Sequence, residues 1–312
     1  MLVKTDIPKL LLAGMKKEFL KAYEEEPVPD YDKIVTVIKS TKDKETYPWL
    51  GAVAKMREWK DERITKAFSE YKFTVTNRSF EGTISVDRDA IEDEQYGQIM
   101  VRVRQLAQEA KRYWRELVFD LLGQGNSTSG SGNFDGVDIG CYDTKAFFAT
   151  DHASGLATGQ DNIGSAALDY SNLQTAITSM RKFKDDQGKF MNVQPDTLVV
   201  NPDEQFTAQE ILNSQFYPET TAGSGAKLAV NVLKGALNLI VTPYIDSGTW
   251  VVLDTKGVVK PIIQQVRRNI EFTALTTGAE AFMRKKLLFG VDMRGEVAFG
   301  MWQYAFGSHN GW

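Results

Sequence analysis

"YKFTVTNRSFEGTISVDRDAIEDEQYG", residues 71–97, decides how the rest of this chain is read. Tyr71, Phe73 and Val75 alternate with Lys72, Thr74 and Thr76, the period-two signature of a strand with one apolar face. Asn77-Arg78 reads as a turn, and Phe80, Ile84 and Val86 among Thr83, Ser85 and Asp87 read as the returning limb. The preceding stretch, "MREWKDERITKAFSE" (56–70), is too charged to line a core. A two-stranded ribbon this polar has only marginal stability alone in water, so it needs a surface to lie on. Residues 47–88 form one polar extension, and two limbs of about 20 residues each reach on the order of 60 Å at strand rise. Its apolar members Trp59, Ile64, Phe68, Tyr71 and Phe73 are too few for a private core. Together with Phe80 they are expected to contact a neighbouring copy, which would also cover the ribbon's unpaired edges.

Composition places the remainder among globular proteins. The chain has 312 residues, 42% hydrophobic and 25% charged, enough to bury a large core and to hold more than one domain. No run approaches the roughly 18–20 apolar residues of a membrane span. The N-terminal "MLVKTDIPKLLLAGMKKEFLKAYEEE" has an apolar stretch cut short by Gly14-Met15-Lys16-Lys17, and reads as an amphipathic arm or short helix rather than a secretion signal. One cysteine, Cys141, excludes an internal disulfide and fits a reducing compartment, with the cytosol as default. A net charge of −4 gives no global reason to bind nucleic acid, membrane or acidic substrates.

After Arg88 the period becomes helical. Val103, Ala107, Ala110, Trp114, Leu117 and Leu121 recur at three- and four-residue steps, opposite Arg104, Gln108, Lys111, Arg112 and Arg115. This predicts a helix from about Asp93 to Leu122, on the order of 40 Å long. The glycine- and serine-rich "GQGNSTSGSGNFDG" (123–136) ends it. A second helix is expected over Asn172–Lys184, with Ser171 and Gln174 as a capping box and Gly188 as its stop. "DTLVV" (196–200) reads as a buried strand, and "NPDEQFTAQEIL" (201–212) as a helix with Asn201 at the N-cap and Pro202 in the first turn. "NLIVTPYI" (238–245) and "TWVVLDT" (249–255) are strands. "VVKPIIQQVRRNIEF" (258–272) is a longer one whose proline suits a sheet edge. "ETTAGSGAKLAV" (219–230) reads as a mobile loop, and "AFMRKKLLFGVDMRGEVAFGMWQYAF" (281–306) mixes strand alternation with an aromatic tail. The fold class is α+β around one long helix, without internal repeats.

No catalytic set emerges. His152 in "DHASG" is the sole candidate general base, and a loop histidine in a turn is the favoured reading. Asp135, Asp138 and Asp143 lack the ligand spacing and terminal glutamate of a calcium loop and read as turn formers. Cys141 has no flanking basic group to activate it, and a small, partly buried residue is expected. There is no GxSxG and no phosphate-binding loop, and "GSGAKL" (223–228) is only a flexible echo of one. Arg267-Arg268 and Lys285-Lys286 read as solvated strand faces, Trp302 and Tyr304 as core or interface aromatics. No enzyme, cofactor or metal site is expected.

The order of parts carries a resemblance. An N-terminal arm, a long ribbon, a long helix, a glycine-rich loop and a strand-and-helix domain with a returning strand resemble the Hong Kong 97-type capsid fold. "YPWLGAVAKMREWKDERI" (47–64), "NRSFEGTISVDRDAIEDEQYG" (77–97), "FFATDH" (147–152), "DTLVVNPDEQFTAQEIL" (196–212), "LIVTPYIDSGTWVVLD" (239–254) and "GVDMRGEVAFGMWQYAF" (290–306) are similar to the major head subunit family of Mu-like tailed phages. The resemblance covers nearly the whole chain. It implies an N-terminal arm at 1–46, an extended loop at 47–88 and a peripheral domain at 89–194 with its spine helix at 95–122. It also implies an axial domain at 195–255, with return strands and C-terminus at 256–312. Loops near 214–231 would meet around five- and six-fold centres. The implied function is self-assembly into pentamers and hexamers of an icosahedral phage or prophage head, enclosing double-stranded DNA without sequence-specific binding. Implied partners are a separate scaffolding protein, since no fused scaffolding segment precedes the arm, together with a portal and decoration proteins. No membrane is involved, and the location is the virion, with the host cytoplasm during assembly. No lysine or asparagine is assigned to a cross-link. Two alternatives stand behind this one: an encapsulin-like shell holding a cargo enzyme, and, disfavoured, a hydrolase using His152.

Overall fold

The fold follows from where each apolar stripe finds its cover. A computed structural model describes residues 7–27, 30–48, 50, 73–87, 89, 96–154, 157–185, 188–219, 227–275 and 283–312. Helix α1 (Ile7–Glu25) buries Met15 and Phe19, four residues apart on one face. One turn, α2 (Tyr31–Ile34), leads into strands β1 (Val35–Lys39) and β2 (Lys44–Thr46). The opening stretch then divides between β3 (Thr74–Thr76) and β4 (Arg78–Asp87), and the helical stripe becomes α3 (Tyr96–Gly123). Short strands β5 (His152–Ser154), β6 (Ala157–Gln160) and β7 (Ile163–Gly164) precede helix α4 (Tyr170–Arg181). Strand β8 (Thr197–Val200), helix α5 (Gln205–Asn213), and strands β9 (Phe216–Glu219), β10 (Lys227–Val230), β11 (Asn238–Val241) and β12 (Thr249–Leu253) follow. Two long strands, β13 (Ile262–Leu275) and β14 (Lys286–Phe299), and then β15 (Ala305–His309) complete the chain.

Two sheets carry the architecture. One has the order β1-β13-β14-β4 and the other β11-β8-β12-β15-β7. Helix α3 serves two cores. Its N-terminal half gives Ile99, Val103 and Ala107 to a cluster with Met15, Phe19, Val86, Phe289 and Val291. Its C-terminal half gives Trp114, Leu117, Val118 and Leu121 to the main core with β8 and β12. Charged pairs fasten α1 and the residue after it along α3, Glu18 with Arg104 and Glu26 with Arg112.

Several sequence expectations change here. Asn77-Arg78 is not the turn of a hairpin: β3 pairs with β2, whereas β4 pairs with β14. The Asn77 side chain is buried and its backbone N–H donates to Asp43 O at 2.9 Å, so the chain changes sheets there. The ribbon's second limb therefore lies on its own chain's β14 and α3. Pro261 does not mark an edge: it falls just outside β13, which is a central strand between β1 and β14. Helix α4 is capped by Asp169, whose side chain accepts from Asn172 N at 2.6 Å, not by Ser171. It stops at Arg181, and Gly188, with φ +73°, belongs to a later turn. Asn201 does cap the turn Pro202–Glu204, accepting from Asp203 N, and α5 continues from it. Residues 305–309, in the C-terminal stretch, pair with β12 in the second sheet.

Candidate assembly interface

The two ends of the extended segment lie side by side, with Tyr47 N donating to Phe73 O at 2.8 Å, and Leu50, beyond Tyr47, is still fully buried in the main core. Beneath them lies a buried polar network. Tyr47 Oη donates to Gln265 Oε1 at 2.5 Å. Gln265, fully buried in β13, donates through Nε2 to Asn77 Oδ1 at 2.8 Å and to Val75 O at 3.4 Å. Asn77 Nδ2 in turn donates to Ser40 Oγ and Lys42 O, both at 2.9 Å. Glu45 closes the turn by accepting from Thr41 N, Lys42 N and the Ser40 hydroxyl. The Thr41 N–H, followed by the Ser40 hydroxyl, holds its carboxyl below the ordinary range. Burial, with Glu45 adding, pushes the Tyr47 phenol up to about 12, so it stays a donor at neutral pH. Arg78 grips Glu296 with its guanidinium fork and donates through Nη1 to Asn133 O at 2.6 Å, fastening β4 to the glycine-rich loop.

Of the residues expected to face a neighbour, Trp59, Ile64, Phe68 and Tyr71 lie outside the described residues. Phe73 and Phe80 are half-buried against their own chain's main core. The Phe80 ring centroid is 5.2 Å from Tyr113 and 6.5 Å from Trp114, so α3 supplies the cover assigned above to another copy. In α3, Ala107, Trp114, Leu117 and Leu121 are buried, and Ala110 is half-buried.

An uncovered apolar face occurs elsewhere. β9 and β10 form an antiparallel pair in which Phe216 faces Val230 and Pro218 faces Leu228. Tyr217, on the other face, stacks on Tyr170 at 3.9 Å between centroids. The outer face leaves Leu228 76% and Val230 70% exposed, with Phe216 and Val232 alongside. Asn231 holds the base of this pair, donating to Ile211 O and Ser214 O at 2.6 and 2.9 Å. Reading 219–230 as a loop missed this face, although Leu228, Val230 and Val232 alternate at the strand period. Residues 220–226 lie outside the described residues.

The chemical candidates dissolve into packing. His152 is not a loop histidine in a turn; it begins β5, is fully buried and stacks on Trp302 at 4.2 Å. Its Nδ1 lies 2.6 Å from Asp143 Oδ2 and its Nε2 3.1 Å from Asn162 Oδ1, leaving no nitrogen for a substrate. Asp138 accepts from Gly140 N at 2.9 Å and Asp143 from Lys145 N at 3.3 Å, as turn-forming aspartates do. Among the described residues no cluster of acidic, histidine or cysteine side chains can hold a metal, Asp135 included. Cys141 is buried rather than partly exposed, and burial pushes its thiol well above the ordinary range. Arg268 pairs with Asp292 across β13 and β14, and Lys285 pairs with Asp89 just beyond the ends of β14 and β4. Trp302 is core and Tyr304 packs beside it, half-buried. No helix among the described residues is long and apolar enough to cross a membrane.

Known proteins share this arrangement. The family of the Mu-like prophage major head subunit gpT matches residues 9–167, 155–245 and 246–311. The Mu-like prophage FluMu major head subunit of Haemophilus influenzae is 25% identical over 97% of this chain and 73% of its own length. The major capsid protein of Escherichia phage Mu is 25% identical over 95% of this chain and 72% of its own. The procapsid of bacteriophage JBD30 superposes with a TM-score of 0.59 at 26% identity, covering 98% of this chain and 76% of that one. A virus-like particle from Pyrococcus furiosus, at 8% identity, shares the fold alone, with a TM-score of 0.53 over 95% of this chain and 98% of that one. The fold is the Hong Kong 97-type capsid fold, α+β, and the subunit builds the virion shell from copies of itself. With the family match running almost from end to end, this chain belongs to the Mu-like prophage major head subunit family: it is the major capsid protein of a Mu-like tailed phage, a structural protein.

Proposed function

We propose that copies of this subunit associate as pentamers and hexamers of an icosahedral head, each reaching over a neighbour through residues 47–72 and meeting its siblings around the axes through the β9–β10 face. The observation that carries this is the apolar face of Phe216, Leu228, Val230 and Val232, which its own chain leaves exposed. Repeated head-to-tail contacts of this kind close into a finite shell when the rotation between copies closes. The domain plan is an arm at 1–46, an extended loop at 47–88, a peripheral domain at 89–194 and 256–312 and an axial domain at 195–255. The pairing of β15 with β12 supports adding residues 305–309 to the axial sheet. Trp59, Ile64, Phe68 and Tyr71 provide the loop's contacts to the neighbour. The enclosed double-stranded DNA is held without sequence-specific contacts, and a net charge of −4 gives the subunit no global attraction to its phosphates. Assembly in the host cytoplasm uses a separate scaffolding protein, a portal and decoration proteins.

The test is to replace residues 51–72 with a short glycine linker. β4 is left intact because it belongs to the subunit's own sheet. The expected product is a folded subunit that forms no shells in negative-stain microscopy. Closed shells at the wild-type yield overturn the loop's role.

A further inference from the structure

Copies related by a five- or sixfold rotation cannot press one face against itself. The surface a subunit offers on one side must be met by a different surface of the next copy. The β9–β10 face of Phe216, Leu228, Val230 and Val232 therefore needs a counterpart elsewhere on the same chain. Between residues 195 and 255, and among the described residues, one large apolar side chain outside that face is exposed: Phe206, at 76%.

Phe206 stands on a firm base. It lies in the first turn of α5, and the residues before it are pinned to the turn ahead of β12. Asn201 Nδ2 donates to Ile245 O at 2.6 Å, the Ser247 hydroxyl to Asp203 Oδ2 at 2.7 Å, and Gly248 N to Glu204 Oε1 at 3.1 Å. Ala208 and Leu212 are buried on the inner side of the helix. Glu210, four residues on from Phe206, shares its outer face and is exposed, with no ion pair among the described residues.

The opposite charge flanks the other surface. Leu228, Val230 and Val232 alternate along the chain, and Lys234, next at that spacing, is exposed and likewise without an ion pair among the described residues. Residues 201–213 include Asp203, Glu204 and Glu210 but no Lys or Arg, whereas residues 227–237 include Lys227 and Lys234 but no acid. The two surfaces are distinct. Asn231 ties the base of β10 to the C-terminal end of α5, at Ile211 O and Ser214 O. Phe206 lies at the other end, about 10 Å away along the helix at 1.5 Å per residue.

We propose that Phe206 of one copy packs on the β9–β10 face of the next copy around the ring axis, with Glu210 beside Lys234 at the rim. The apolar part removes both surfaces from water, and the charge pair fixes which way round the two copies meet. The proposal rests on the reading above that this face meets sibling copies, and adds which surface of the sibling receives it.

The test mixes two populations before assembly, one carrying Glu210→Cys and the other Lys234→Cys, and treats them with a short bismaleimide; the buried Cys141 stays unmodified. A covalent dimer is expected from the mixture and from neither variant alone. Charge exchange gives an independent readout: Glu210→Lys and Lys234→Glu are each expected to cut shell yield at least about threefold at an unchanged melting midpoint, and the two together to restore at least about half of it. Where a charge variant fails to fold, the cross-link decides. Shells without the mixed dimer, or a double variant no better than the poorer single one, overturn the pairing and leave the shell reading standing. A mixed dimer from subunits that form no shells upholds the pairing and overturns the shell reading. Neither shells nor mixed dimer overturns both.

Discussion

At Gly295 the strands β13 and β14 and the spine helix approach one another closely. A Cβ added there would lie 2.3 Å from Gln265 O and 2.8 Å from Trp114 Cη2, distances at which backbone or an indole must move. Gly295→Ala is therefore expected to cost roughly 1–3 kcal/mol through forced separation of the strands, read as a lowered midpoint in denaturant. An unchanged midpoint would show that the sheet yields there without strain. His152 makes the complementary point. As a residue type it suggested a base, yet the same nitrogens are spent on Asp143 and Asn162 inside the core. Nothing within "DHASG" announces this, because both partners lie about ten residues away and the stacking Trp302 comes from the C-terminal block.

Among the elements, the β9–β10 pair is built with two unlike faces. One is held to the body through Tyr217 on Tyr170; the other has no cover among the described residues. A double change, Leu228→Glu with Val230→Glu, alters only exposed positions and should move subunit stability by no more than about 0.5 kcal/mol. It should also cut shell formation at least tenfold by placing like charges on the face proposed to meet its own copies. Sedimentation and thermal melting together check this, and wild-type shell yield would remove the face from the interface. The helices were the legible elements. The stripe from Val103 to Leu121 predicted α3 to within a few residues because its period is a local property. The start of α4 was misplaced because Asp169 reaches the Asn172 N–H first, and two candidate caps so close together cannot be ranked from spacing alone.

For the whole molecule the decisive feature is that one helix belongs to two cores. Met15, Phe19 and the distal parts of β4 and β14 pack on the first half of α3, and the second sheet on its last turns. Unfolding either core removes a wall of the other. The unassembled subunit is thus expected to melt in one transition, with near- and far-ultraviolet circular dichroism giving the same midpoint. Two separated midpoints would mean that the helix does not couple the cores. The same sharing explains how a polar ribbon keeps its shape outside a shell: the limb from Arg78 to Asp87 is a strand of its own subunit, with Phe80 and Val86 covered by α3 and its neighbours.

By itself the sequence determined the α+β class, the long central helix and, through the order of its parts, the family. Each of these depends on local period, residue chemistry or motif order along the chain. Only the tertiary structure decided which strand lies beside which: that Asn77 changes sheets, that the strand after Pro261 is central, that residues 305–309 join β12, and that Gln265 holds both limbs. The reason is physical. Strand pairing and buried side-chain hydrogen bonds are made between residues far apart in sequence, and alternation says which face of a strand is apolar without saying what covers it.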